Sequence, residues 1–295
     1  MIKVKKIASD PNQLRDRVSR YFSKSRVKDF RRKNKKQLKF EFSRHDIDTQ
    51  WRDISHLLDY LSDICVYGDI YIYGGMLRDI ALLGIDGFTS DIDLVVESDW
   101  ETVSKELFEK GGELNKFGGM RIAIDGLDHP IDIWDAKNTW AFKNNYLVYR
   151  DISSLLDSTM FNWDSILMCW KTKSIVHSEK YFEDLNNRHL DLVFAENPNP
   201  IGMLVRAFRH ILNKDALSAS DSLINYLVKE SKKYSFSQVY NSERASYLSE
   251  YVIENNQYHN FRNGISSRVL QDLNNQENEF SGQNLKNKIS GQLSL

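Results

Sequence analysis

The chain has 295 residues, 40 Lys and Arg against 41 Asp and Glu, a formal net charge of -1 and 41% hydrophobic residues. That is enough to bury one sizeable mixed core with a helical satellite. Cys65 and Cys169, its two cysteines, lie in apolar surroundings and exclude a disulfide or cysteine-metal framework; with no signal-peptide pattern and no apolar run of about 18 residues, the expectation is a cytoplasmic chain without a membrane partner.

Net neutrality hides an uneven start. Residues 1–50 form a basic extension in which basic residues crowd between Lys3 and Arg44, including Arg26, Lys28, Arg31, Arg32, Lys33, Lys35, Lys36 and Lys39, with Tyr21, Phe22, Phe30 and Phe40 interleaved. Such a segment suits a nucleic-acid backbone and stacked bases, and equally a solvated helix face or a basic arm. From Trp51 through Ile54, Leu57, Leu58, Leu61 and Ile64 the spacing is helical, and Gly68 ends it. Ile70 to Tyr73 reads as a strand entering the tight turn Gly74-Gly75. Met76 to Leu83 reads as a helix stopped by Gly84, and Ile92 to Val96 as a second strand. Ser98-Asp99-Trp100-Glu101 has the form of a capping box opening a helix that stops at Gly111-Gly112. Met120 to Ile124 and Ile131 to Trp134 alternate as strands on either side of the turn-rich Asp125 to Pro130. Beyond these the chain becomes mainly helical, and from Asn274 it is rich in Asn, Gln, Ser and Gly, the composition of a loosely ordered tail.

The chemistry sits at the second strand. Residues i and i+2 of a strand share a face, so Asp91 and Asp93 point the same way while Ile92 and Leu94 turn to the core. Two adjacent carboxylates repel unless a cation lies between them. Gly74 and Gly75 open a helix whose first N–H groups lack intrahelical partners, which suits a phosphate chain. Acids and phosphate cradle together suggest nucleotidyl transfer. The plainer reading makes Asp91 and Asp93 the flanks of a surface turn, and it leaves acids at alternating positions of an apolar run unexplained.

Gly74, Gly75, Arg78, Asp79, Leu82, Gly84, Asp91 and Asp93 reproduce the pattern G-G-x-x-R-D, L-x-G, D-x-D, and so this chain resembles the polymerase-beta-like nucleotidyltransferases, above all the head and neck of bacterial poly(A) polymerases and class II CCA-adding enzymes. The resemblance implies an α+β fold: a nucleotidyltransferase head with a mixed sheet and helices over residues 51–150, a mainly helical neck and body over 151–273, and a polar tail over 274–295. It implies two Mg²⁺ ions, or Mn²⁺, held by Asp91, Asp93 and a third carboxylate. Asp132 is the first choice for that third group and Asp135 its competitor. It also implies nucleoside triphosphate contacts from Gly74, Gly75, Arg78 and Ser90, with Arg121 as a further source of positive charge; for Arg78 pairing with Asp79 or Asp86 is an equal alternative. Ile175 to Leu185 resembles the family's short strand and G-L-x-D-L segment, and Leu204 to Arg209 its L-R-A-x-R helix, which adds Arg206 and Arg209. For this pair salt bridging with Glu183 or Asp184 competes with ligand contact.

Departures fall where the family selects its nucleotide. The R-R-D-F-T-I-N stretch is Leu156 to Asn162 here and keeps Asn162; the E-D-x-x-R stretch aligns with Asn199 to Met203 and keeps neither base-reading group. Faithful CCA addition is therefore not expected. The expected reaction is Mg²⁺-dependent transfer of a nucleotide from a triphosphate to a hydroxyl, an RNA 3′ end on tRNA or a related structured RNA, with the basic segment adding affinity. A small-molecule or protein hydroxyl is the rival acceptor, and an inactive RNA- or partner-binding homologue the third reading.

Overall fold

The computed structural model describes residues 7–23, 53–88, 90–115, 117–124, 127, 131–247 and 251–262. The basic residues Arg26 to Lys39 and the polar tail lie outside these. The chain divides into two compact units, residues 1–159 with 164–182, and residues 160–163 with 183–295.

The first unit is built on a seven-stranded mixed sheet. In chain order its elements are α1 (Pro11–Tyr21), α2 (Ile54–Ile64), β1 (Ile70–Tyr73), α3 (Gly75–Leu83), β2 (Ile92–Val96), α4 (Trp100–Glu109), β3 (Glu113–Leu114), β4 (Met120–Ile122), β5 (Ile131–Asp135), α5 (Trp140–Lys143), β6 (Ile166–Cys169) and β7 (Ile175–His177). The strand order is β3-β4-β5-β2-β1-β6-β7, with β2 and β5 parallel and the other pairs antiparallel.

Both faces of the sheet are covered. On one, Ile70, Ile72, Leu94, Val96 and Ile133 are fully buried, and α2, α3 and α4 pack against the strands. On the other, Val95 and Leu167 join Ala136, Phe142, Leu155 and Leu156 from the segment after β5, with Tyr71, Tyr73 and Trp134 packed at its margin. Each fully buried aliphatic side chain contributes about 1.5 to 3 kcal/mol relative to exposure. Two covered faces explain why β2 is buried at Ile92, Leu94, Val95 and Val96 rather than strictly alternating.

Three departures from the sequence reading concern this unit. The start of the basic extension belongs to the core: Leu14 and Val18 of α1 are fully buried, Ala8 N–H donates to the Ala81 carbonyl at 2.9 Å, and Arg17 reaches the Ala81 carbonyl at 2.9 Å. Pro11 at the helix start and Asp10, whose carboxylate accepts from Gln13 N–H, fix where α1 begins. The sheet also continues past residue 150, because β6 pairs with β1. Its signal was present in the uninterrupted apolar run Ile166 to Cys169, which fits a strand buried on both faces. The capping box is also not formed: Ser98 Oγ accepts from Val66 N–H, and Asp99 is the N-cap of α4.

The second unit holds α6 (Tyr181–Asn187) from Glu183 onward, β8 (His189–Leu190), α7 (Pro200–Leu212), β9 (Ser218–Ala219), α8 (Asp221–Ser231), α9 (Phe236–Tyr247) and α10 (Asn255–Arg262). It is mainly helical, as the sequence implied, with a two-stranded parallel pair β8–β9. Asn199 caps α7 by accepting from Gly202 N–H at 3.1 Å, and Met203, Leu204, Ala207, Phe208 and Ile211 form its buried stripe. Among the described residues no helix is long and apolar enough to cross a membrane.

Candidate active site

One rung of the sheet organises the site. Glu113, Arg121, Asp132, Asp93, Tyr73, Leu167 and Val176 are successive register partners across all seven strands. Register partners share a face, so Arg121, Asp132 and Asp93 stand in a row, with Asp91 two residues before Asp93 at the strand entrance. Toward β7 the row becomes apolar and covered. The acids therefore sit where the covered face ends.

Parallel pairing of β2 and β5 is what sets Asp132 beside Asp93, and it separates the two candidates for the third carboxylate in space. Asp135 pairs with Val96 at the other end of these strands, accepting from Lys137 N–H at 3.1 Å and from the Asn138 amide, as the cap of a short turn. Asp132 stands in the acid row; Asp135 holds the chain leaving β5.

Arg121 holds Asp132 with both arms of its fork, Nε to Oδ1 at 2.9 Å and Nη2 to Oδ2 at 2.7 Å. The hydrogen bond to Asp132 is the largest influence raising the pKa of Arg121, and Asp91 and Asp93 add to it. All three acids thus act on one guanidinium. Carboxylate oxygens are the donors a hard divalent cation takes, so the donor chemistry fits. The arrangement does not yet match it, because both oxygens of Asp132 are engaged by Arg121. Among the described residues no three His, Cys, Asp or Glu side chains converge closely enough to hold a metal ion.

The glycine turn lies beside the acids, since Tyr73, the last residue of β1, pairs with Asp93. Gly74 has φ of 58°, a left-handed conformation that only glycine adopts without cost. A Cβ on Gly75 would approach Ser90 Cβ to 3.3 Å, so the turn packs closely on the loop that leads into β2. α3 begins at this turn and directs its N-terminal end to the half-exposed Gly75.

Arg78 and Ser90 are placed inward. Arg78 is 5% exposed: Nε donates to Asp79 at 2.9 Å, Nη2 to Ser90 Oγ at 2.8 Å, and Nη1 to Asp164. Ser90 Oγ donates in turn to Asp79. Burial alone would lower the pKa of Arg78, but Asp164 and Asp79 outweigh it and raise it. This network ties α3, the loop before β2 and the segment before β6 together behind the glycine turn. Arg78 pairs with Asp79; Asp164, 86 residues away, is a partner that no local sequence signal marks.

Asn162, Arg206 and Arg209 belong to the second unit. The Asn162 side chain donates to Asp184 at 3.0 Å and the His189 carbonyl at 3.1 Å, and accepts from Asp191 N–H at 2.9 Å. Arg209, 7% exposed, pairs with the fully buried Glu243 at 2.8 Å and stacks 3.9 Å over the Tyr247 ring. Glu243 is thus a partner that the sequence reading did not name. Arg206 is exposed on the same helix. Asn162 and Arg209 are used in holding this unit together.

No family model and no curated protein matches the chain. Among solved structures, it is similar to a tRNA-processing enzyme with CTP, at 17% identity over 69% of this chain and 54% of that one, TM-score 0.45. It is also similar to a tRNA nucleotidyltransferase complexed with a primer tRNA and an incoming ATP analogue, at 18% identity over 69% and 58%, TM-score 0.46. A third is the Thermotoga maritima CCA-adding enzyme complexed with tRNA, at 16% identity over 71% and 55%, TM-score 0.39. The chain spans little more than half the length of these proteins, and all three likenesses are distant.

Proposed function

We propose that the protein is a divalent-cation-dependent nucleotidyltransferase that moves a nucleotide from a nucleoside triphosphate to a hydroxyl, with release of pyrophosphate. The observation that carries this reading is the in-register pair Asp93 and Asp132, with Asp91 beside them, next to the Gly74-Gly75 turn. Asp91, Asp93 and Asp132 would hold Mg²⁺ or Mn²⁺, which supplies positive charge to the entering and leaving oxygens of an in-line displacement. The protein's own part is positioning. Gly74 and Gly75 let the main chain come close to a triphosphate, the N-terminal end of α3 favours its charge, and Arg121 brings a guanidinium to the same edge. Arg78 and Ser90 act one layer behind, fixing the turn's geometry rather than touching phosphate.

An RNA 3′ end, on tRNA or another structured RNA, is the acceptor that the sequence motifs favour, with faithful CCA addition set aside because the base-reading groups are absent at Asn199 to Met203. The test incubates the full chain with Mg²⁺ and each labelled triphosphate against a pool of cellular RNA, resolved by length. Labelled RNA lengthened in a way that Asp91→Ala and Asp93→Ala each abolish is the expected result. Label confined to small molecules or protein would keep the chemistry and replace the acceptor; no turnover with any acceptor would overturn the reading.

A further inference from the structure

We infer that the cavity between α1, the start of α2 and the β6–β7 turn binds a small organic acid, whose apolar body lies on Val18, Phe22 and Met168 and whose carboxylate meets the ammonium of Lys173. The inference stands apart from the acid row. Met168 pairs with Ile72 while Leu167 pairs with Tyr73, so the cavity floor and the row through Asp132, Asp93 and Tyr73 belong to opposite faces of the sheet.

The cavity has a volume of about 260 Å³, and Val18, Phe22, Met168 and Trp170 give it an apolar wall. That is room for one ring or a short chain, since an apolar cavity of about 150 Å³ already holds benzene. Lys173 closes one side. It lies in the turn between β6 and β7, donates its N–H to the Cys169 carbonyl at 3.0 Å, and has φ of 57°. Glycine takes that left-handed conformation without cost and lysine does not, so the turn by itself gives no reason for a lysine here. Arg15 Nε holds the Lys173 carbonyl at 2.9 Å and fixes the turn from α1. The Lys173 Nζ lies 2.9 Å from the centre of the Trp170 ring, and among the described residues its ammonium has no carboxylate and no hydrogen-bond acceptor as partner. A ring face attracts a cation but leaves its three N–H groups without a full acceptor. Burial lowers the pKa of Lys173, and Asp59, Asp69 and Cys169 act against this only from a distance. Asp59 is taken up by the Trp170 indole N–H at 2.7 Å, and Asp69 by Ser62, Cys169 and Lys171 N–H. Two of the rim hydroxyls are likewise engaged, Ser23 donating to the Arg20 carbonyl at 2.8 Å and Ser55 to the Phe22 carbonyl at 3.5 Å. A half-buried cation with donors to spare beside an apolar wall is the complement of a carboxylate carried on a ring or short chain.

The test adds phenylacetate, and separately its neutral amide phenylacetamide, to the full chain and follows the Trp170 indole N–H resonance by nuclear magnetic resonance. Phenylacetate should shift it saturably and bind about fivefold more tightly than phenylacetamide, the gain of a half-exposed charge pair over an uncharged contact. Lys173→Gln should remove that preference. Ser19→Phe, at an exposed position of α1 on the cavity rim, should block both compounds while the rest of the spectrum stays in place. No saturable shift with either compound would overturn the inference. Equal affinity for acid and amide in the unmutated protein would overturn it without any variant, and so would a preference that survives Lys173→Gln. Binding untouched by Ser19→Phe would put the compounds elsewhere and overturn it too. None of these readouts involves nucleotide transfer, so failure of the nucleotidyltransferase reading and failure of this inference are told apart.

Discussion

Asp93 and Asp132 oppose each other directly on two parallel strands, and the Arg121 fork grips the second of them from the strand beyond. Carboxylates so placed repel each other and work against folding. Their position at the edge of a covered sheet face, beside a glycine turn, is the arrangement on which the proposed function rests.

Like charges directly opposite each other across strands destabilise by roughly 0.2 to 1 kcal/mol. Asp93→Asn should therefore leave the free energy of unfolding in urea unchanged or raise it by about 0.5 kcal/mol, while nucleotide transfer is lost. A drop in stability above about 1 kcal/mol would show that Asp93 serves the fold instead.

Arg78 is the opposite case. Removing one member of a buried ion-pair network leaves the others uncompensated, at a cost of about 3 to 5 kcal/mol. Arg78→Ala should lower stability by that order, and Arg78→Lys should also destabilise because an ammonium cannot reproduce the fork shared among Asp79, Asp164 and Ser90. Thermal unfolding checks both; a change below about 1 kcal/mol in Arg78→Ala would refute the buried role.

Glu243 accepts from Arg209 at 2.8 Å and also from Val252 N–H at 3.1 Å and Ile253 N–H at 3.4 Å. Glu243→Ala should cost about 3 to 5 kcal/mol, since it strands a buried guanidinium and two N–H groups. Arg209→Met loses the guanidinium that stacks on Tyr247 but keeps an apolar stem and leaves Glu243 its two N–H donors, so it should cost less. Denaturant unfolding ranks the two, and the reverse order would contradict this account.

Asp69 gives a pH signature. Burial pushes its pKa up, but hydrogen bonds from Cys169, Ser62 and Lys171 N–H outweigh that and hold it below the ordinary 3.8. A carboxylate whose folded pKa is depressed stabilises fully above its unfolded value, and that contribution is lost as pH falls through the folded pKa. Asp69→Asn should be less stable at pH 7 by about 1 to 2 kcal/mol and lose less stability than the parent below about pH 4. Urea midpoints across pH 2 to 7 test this, and parallel curves would dismiss it.

Local order was legible wherever pattern and punctuation agreed. β1, the helix after the glycine turn and β2 fall where Ile70 to Val96 placed them, and α7 begins one turn before the L-R-A-x-R-like segment because Asn199 and Pro200 cap it. α1 was obscured by its charge, since a helix held by Leu14, Val18 and Tyr21 alone has a narrow apolar stripe inside a basic stretch.

The sequence alone determined which residues are acids on one strand face and which glycines turn the chain, because strand period and φ preference are properties of neighbours. Only the tertiary structure decided that Asp132 rather than Asp135 joins Asp93, that Arg121 closes Asp132, and that Arg78 is sealed against Asp164. These depend on strand order, register and burial, through which residues distant in the chain come to share one rung or one buried pocket. No local pattern encodes that proximity.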